Sequence, residues 1–272
     1  MGYKHKIVKE EISVEGGRAT TFDVYLPSEV ELPSPTNKFK SKRPVTIHEK
    51  SVDAYNKANI AIDNLYNNTE VSSNYRASKK AVRELVLTIL HDDFTIRSFM
   101  SVINHRDCTP THSLNVAIYA LSLGSYLKLK KEALLELGES ALLHDLGKNK
   151  IDEQIVNKND KLSTDEYEVI KEHSKLGHDI CIEIGITNKN TLDGIIYHHE
   201  KIDGTGYPSG LKGEDIPLFA RIIGICDTFD ALTSQRSYKE AFPTFEALKH
   251  MKIEMKNYFD TDLVNKMIMM FR

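Results

Sequence analysis

The sequence predicts a mainly α-helical protein, an all-α domain behind a small N-terminal module with a β-hairpin and helices. Three observations carry that prediction. Apolar residues recur every three to four positions through most of the chain after Thr46. β-branched and aromatic residues cluster around a glycine pair only near the N-terminus. No internal repeat at a solenoid period and no low-complexity tract interrupts the pattern. With 272 residues, 40% hydrophobic and 28% charged, the chain can bury a sizeable core, which argues against disorder.

Residues 6 to 26 carry Ile7, Val8, Ile12, Val14, Thr20, Thr21, Phe22, Val24 and Tyr25 around Gly16-Gly17, the pattern of a hairpin closed by Pro27. From Ser28 to Pro44 the composition shifts to Pro, Ser and Lys, and Pro33, Pro35 and Pro44 deny regular structure, so this is a linker or surface loop. Its basic run Lys38 to Arg43 reads as a solvated segment without assigned function. Helical periodicity then covers 48–66, 77–90 and 94–104. It continues through 112–129, 131–146, 164–185, 189–199, 217–233, 243–257 and 261–271. The expected division is an N-terminal module at 1–87 and a helical domain at 88–272.

A net charge of −3, from 36 Lys+Arg against 39 Asp+Glu, supplies no global attraction to a nucleic-acid polymer or an anionic membrane. No stretch approaches the roughly 18 uninterrupted apolar residues of a bilayer span, and the N-terminus has no apolar signal region. Cys108, Cys181 and Cys226 are widely spaced and odd in number, which suits a reducing cytoplasm better than a disulfide framework.

Of eleven histidines, seven fall between residues 105 and 199. His144-Asp145 ends the apolar run Ala141-Leu142-Leu143, with Gly147 placed as a helix terminator and Lys148 one turn beyond His144. His198-His199-Glu200 repeats the device after Leu192, Ile195 and Ile196. Asp227 interrupts the apolar run 220–226, and Asp230 shares its face one turn on. Imidazole and carboxylate at apolar helix ends are costly unless they are hydrogen-bonded or hold a metal. A donor set rich in imidazole suits iron, manganese, zinc, cobalt or nickel rather than magnesium or calcium. A hydrogen-bonded helix end is the plain alternative for each pair.

The ordered set His144-Asp145, Gly147-Lys148, His198-His199-Glu200, Asp203-Gly204-Thr205-Gly206-Tyr207-Pro208, Asp227-Thr228-Phe229-Asp230-Ala231-Leu232 and Arg236-Ser237-Tyr238-Lys239 resembles the HD-GYP family of HD-superfamily phosphohydrolases. The likeness covers roughly residues 88–272. It implies an all-α HD-type fold and hydrolysis of the bacterial second messenger cyclic di-GMP to a linear dinucleotide, with onward cleavage to GMP left open. It further implies two divalent transition metal ions, with iron or manganese expected. His112, His144, Asp145 and Asp227 would hold one and His173, His198, His199 and Asp145 the other, with Asp145 bridging. Lys148 would act with Asp145 beside the reacting phosphate, and Arg236 and Lys239 would bind the substrate phosphates. Asp230 is expected to support a ligand through a hydrogen bond or to make a helix-end contact.

A protein partner could use Gly206-Tyr207-Pro208 or the N-terminal module. Two other readings stay open: an HD phosphohydrolase acting on another cyclic dinucleotide or a nucleotide, and a catalytically silent receptor. Some members carry a glutamate four residues before the first histidine ligand, as part of a third metal site. Cys108 stands there in this chain, and a thiol is no substitute for a bridging carboxylate, so two ions are expected.

Overall fold

The computed structural model describes residues 6–10, 22–26, 46–67, 71–91, 95–103, 108–158, 160–235 and 241–271. The chain divides into two units, Met1–Pro44 and Val45–Arg272. In the first, strands β1 (Lys6–Glu10) and β2 (Phe22–Leu26) pair antiparallel, with Val8 opposite Val24. The expected turn at Gly16-Gly17 and the expected linker lie outside the described residues.

The second unit is helical. Its elements are α1 (Ile47–Asn67), α2 (Val71–His91), α3 (Thr95–Met100), α4 (Thr109–Tyr126), α5 (Lys131–Leu143) and α6 (Glu153–Val156). They continue as α7 (Thr164–Lys171), α8 (His173–Glu183), α9 (Lys189–Tyr197), α10 (Leu218–Thr233), α11 (Thr244–Ile253) and α12 (Thr261–Met270). Single 3-10 turns occupy Leu146–Lys150 and Gly213–Asp215. No described helix is long and apolar enough to cross a membrane.

α4 is the axis of this unit. Every residue from Ser113 to Gly124 is buried, so the helix shows no polar face, the pattern of a helix surrounded by others. α1, α2, α5, α10 and α12 all pack on it. α10 is nearly as enclosed and places Ile222, Ile223, Ile225 and Phe229 in the same core.

The expected boundary at 87/88 does not hold, because α1 and α2 belong to the helical unit and the division falls at 44/45. The cause is the stripe Ala54, Ala58, Ile62 and Leu65 on α1, together with Val82, Leu85, Val86 and Ile89 on α2, all buried in the shared core. Each large side chain among them is worth about 1.5–3 kcal/mol when fully buried, an incentive that a separate module of this length would forgo.

Two helical expectations are also corrected. The helix expected over 131–146 stops at Leu143 and gives way to the 3-10 turn. The one expected over 164–185 is two helices that meet at Glu172, where the Ile170 carbonyl accepts a hydrogen bond from His173 Nδ1.

Candidate metal centre

Three histidines sit where helices end or begin, and each is held the same way. His144 caps α5 and its Nδ1 donates to the Ala141 carbonyl at 2.7 Å. His198 caps α9 and donates to the Ile195 carbonyl at 2.7 Å. His173 opens α8 and donates to the Ile170 carbonyl of α7 at 2.6 Å. A helix end leaves carbonyls without intrahelical partners, and an imidazole three residues on can supply the missing donor. Donating through Nδ1 fixes the tautomer, so Nε2 keeps its lone pair and presents it off the helix end. The three Nε2 atoms converge: His173 Nε2 and His198 Nε2 are 3.2 Å apart, and the His144 and His198 rings meet edge to face with centroids 4.8 Å apart.

The remaining groups enter from α4, α10, the end of α9 and the 3-10 turn after α5. His112, in the first turn of α4, turns its Nε2 to Asp227 Oδ1 at 3.0 Å and its Nδ1 to Asp230 Oδ2 at 2.7 Å. Asp230 also accepts from Asn115 Nδ2 at 3.1 Å. Asp145 lies at the centre with its oxygens divided. Oδ2 is 3.5 Å from His144 Nε2 and 3.7 Å from His112 Nε2, whereas Oδ1 is 3.4 Å from His173 Nε2. Lys148 Nζ donates to Asp145 Oδ2 at 2.7 Å. His199 Nδ1 is 4.0 Å from Asp227 Oδ2.

The cluster has a closed floor and an open rim. The side chains of His144, Asp145 and His173 are at most 2% exposed, whereas those of His199, Lys148 and Asp227 are 26%, 25% and 18% exposed. Burial holds His144 and His198 below the usual imidazole range and lowers His173 to about 4 and His199 to about 3. For His112 burial pulls the same way, but hydrogen bonds with Asp227 and Asp230 override it and raise the group to about 10. Burial opposes the charge on Asp145 too. The Lys148 ammonium and the surrounding imidazoles nevertheless hold its carboxyl well below the usual carboxylate range. Asp227 is likewise held low against burial by its hydrogen bond with His112.

These side chains fit a divalent metal. His144 Nε2 is buried without a hydrogen-bond partner, although its Nδ1 is satisfied. The close His173 and His198 Nε2 atoms set lone pair against lone pair, an arrangement that a cation resolves. Donor atoms of His112, His144 and Asp227 lie within 4.8 Å of one another, and so do those of His173, His198 and His199. His144, Asp145 and His198 form a further such set that joins them. Imidazole with carboxylate is the donor chemistry of first-row transition ions.

Two close backbone approaches shape the cluster. A Cβ at Gly147 would lie 1.9 Å from the His173 carbonyl oxygen and 2.4 Å from Gly177 N, so only glycine lets the turn after Asp145 reach α8. A Cβ at Gly206 would lie 2.4 Å from both Glu200 Cα and Lys201 N. The loop that follows packs on the rim: the Tyr207 ring stacks on His199 with centroids 4.7 Å apart, and Lys171 Nζ lies 5.7 Å from its centroid.

The structure brings His112, His144, Asp145, Lys148, His173, His198, His199 and Asp227 together. Arg236 and Lys239 lie outside the described residues. Asp230 meets the expectation of a supporting carboxylate through His112. The parallel between His198-His199-Glu200 and His144-Asp145 fails at its last member. Glu200 turns away from the histidines and accepts the backbone N–H groups of Ser209 at 2.7 Å and Leu211 at 3.0 Å, pinning the loop after Pro208. Cys108 Sγ donates to Thr111 Oγ1 at 3.1 Å, within its own first turn of α4. Sequence reasoning missed Tyr55, whose hydroxyl donates to Asn115 Oδ1 at 3.2 Å, and the Tyr207 stack; neither residue carries a local signal of its contact.

Comparison with known proteins gives the same fold. A solved structure of Bd1817, an HDG"Y"P protein from Bdellovibrio bacteriovorus, superposes with a TM-score of 0.72 at 19% identity, covering 85% of this chain and 74% of that one. A Pseudomonas aeruginosa protein named as a cyclic di-GMP phosphodiesterase is 34% identical over 179 residues, 66% of this chain and 43% of the relative. A Vibrio cholerae protein named as a 3'3'-cGAMP-specific phosphodiesterase is 30% identical over 195 residues, 71% of this chain and 42% of the relative. The chain thus spans less than half the length of these two curated relatives. The HD domain family matches residues 77–263, which takes in α4 to α10 and every histidine and carboxylate of the cluster, and the chain belongs to that family.

Proposed function

We propose that this chain is a metal-dependent phosphodiesterase that opens cyclic di-GMP to a linear dinucleotide. The observation that carries the reading is the convergence of five imidazoles and two carboxylates on one cluster with a closed floor and an open rim, within an HD domain. The name of the Pseudomonas aeruginosa relative supports cyclic di-GMP as the substrate. The name of the Vibrio cholerae relative favours a second reading, a different cyclic dinucleotide.

In this proposal His112, His144, Asp145 and Asp227 hold one divalent ion, and His173, His198, His199 and Asp145 hold the other. The divided oxygens of Asp145 support its shared role. Two ions follow from Cys108, whose thiol is turned to Thr111, and iron or manganese suits the donors. When bound, the metals would supply Lewis acidity for activating water and polarising the phosphodiester.

The chain's own residues do the rest. Nδ1 donation to backbone carbonyls keeps the Nε2 lone pairs of His144, His173 and His198 turned inward, and His112 gives up its Nε2 proton on becoming a ligand while Asp230 retains the one at Nδ1. Lys148, held by Asp145 at the rim, neutralises a non-bridging phosphate oxygen as charge grows there, and Arg236 and Lys239 bind the substrate phosphates. Water oxygen bonds to phosphorus, the bond from phosphorus to a ribose 3′ oxygen breaks, and that oxygen leaves with a proton. No side chain becomes covalently attached.

We further infer a cytoplasmic location, which the free cysteines support, and a separate module around β1 and β2 in residues 1–44. A protein partner would dock on that module or on the Gly206-Tyr207-Pro208 loop, where Pro208 is exposed.

The test is turnover of cyclic di-GMP, with 3'3'-cGAMP in parallel, by protein prepared without oxygen and loaded with iron or manganese. Linear dinucleotide should appear with metal and disappear after chelation; no turnover of either substrate by metal-loaded protein overturns the reading. Arg236→Ala and Lys239→Ala should raise KM without changing metal content, since charge-assisted contacts are worth about 1.5–3 kcal/mol each. An unchanged KM in both removes their assignment.

A further inference from the structure

We propose that α1 completes the metal centre from behind, with Tyr55 and Asn115 acting as positioning residues that hold Asp230 and, through it, His112. The inference rests on the metal-binding reading above and deepens it. The hydrogen bonds run in one direction. The Tyr55 hydroxyl donates to Asn115 Oδ1 at 3.2 Å, Asn115 Nδ2 donates to Asp230 Oδ1 at 3.1 Å, and His112 Nδ1 donates to Asp230 Oδ2 at 2.7 Å. Ser234 Oγ adds a donor to Asp230 Oδ2 at 3.3 Å. Tyr55, Asn115 and Asp230 are all buried.

An asparagine amide can face a carboxylate with its NH2 group or its oxygen, and only the first attracts. The Tyr55 hydroxyl, arriving at the other side of the amide, favours that orientation by donating to the oxygen. Asp230 thus meets fixed donors at both oxygens, which sets the plane of its carboxylate and therefore the direction in which His112 presents Nε2 to the cluster. Tyr55 stands on α1, before the residues that resemble HD-GYP proteins and before the family match begins at residue 77. Likeness to known proteins does not single it out; the packing of α1 on α4 does.

Partners behind a histidine ligand typically change metal affinity by about 10–100-fold when removed, and the effect should fade with each further bond in the chain. The experiment is titration of the metal-free full chain with Mn2+, following free ion by its spectroscopic signal and stoichiometry by elemental analysis. Asn115→Leu should weaken one of two ions by about tenfold and Tyr55→Phe by a few-fold, both leaving the other ion unchanged. Excess Mn2+ should restore turnover in both variants. Tyr75→Phe serves as the control, because it removes another packed hydroxyl, bonded to Glu139 at 2.6 Å, without touching the relay. Wild-type affinity for both ions in Tyr55→Phe and Asn115→Leu overturns the proposal. So does equal weakening of both ions that merely follows a lowered melting temperature and recurs in Tyr75→Phe. Failure of the wild type itself to bind Mn2+ would instead sink the metal-binding reading, and this inference with it.

Discussion

His144, His173 and His198 each lean on a backbone carbonyl three residues back, whereas His112 leans on the carboxylate of Asp230, 118 residues away in the chain. The two supports have opposite electrostatic results. A carbonyl fixes the tautomer but brings no charge, so burial dominates and keeps those imidazoles neutral. Two carboxylates flank His112, and their hydrogen bonds, aided by their charge, overcome burial and favour the imidazolium in the metal-free chain. One side of the cluster is therefore built as ready lone pairs, while the other must release a proton to bind.

The largest effect should come from removing the residue that both sides share. Asp145→Ala is expected to abolish binding of both ions and all measurable turnover while the helical fold persists. Elemental analysis and circular dichroism check this, and wild-type metal content in the variant would show that the two sides are independent. Asp230→Asn should separate the sides, lowering the affinity of the ion at His112 by about 10–100-fold and sparing the ion at His173, His198 and His199. Equal losses in a Mn2+ titration would refute that separation.

Gly147→Ala strikes first at the carbonyl-held side, because its methyl would press on the His173 carbonyl oxygen. A cost of about 1–3 kcal/mol in unfolding of the metal-free protein is expected, with weakened binding at His173. An unchanged melting temperature would mean that the turn yields freely.

The remaining effect is the one with pH. His112, raised to about 10, contributes stability that is fully present below its unfolded value near 6.5 and lost as pH rises towards 10. His173 and His199, lowered to about 4 and about 3, are neutral when folded, so stability is lost as pH falls below 6.5, where the unfolded chain takes up protons first. From these histidines the metal-free protein should be most stable near pH 6.5. Saturating Mn2+ should remove the decline on the alkaline side, since it displaces the His112 proton. Melting temperatures across pH 4–10, with and without the ion, measure both limbs.

The sequence by itself determined the helices and the chemistry of their ends. His144-Asp145 and His198-His199 stand out because each closes an apolar run, and Asp227 because it interrupts one; burial at such places demands a partner whatever the fold. The identity of that partner is a different matter. Periodicity reports which face of a helix is buried but not which other helix buries it. The pairing of His112 with Asp230, the service of Tyr55 to Asn115 and the membership of α1 and α2 in the helical unit were all decided by how helices pack around α4. The break between α7 and α8 belongs with them, since the apolar pattern runs straight through Glu172 and the helices part where His173 joins the other imidazoles. Local pattern acts within a few residues, whereas these contacts join segments tens of residues apart, and only close packing brings them within hydrogen-bonding distance.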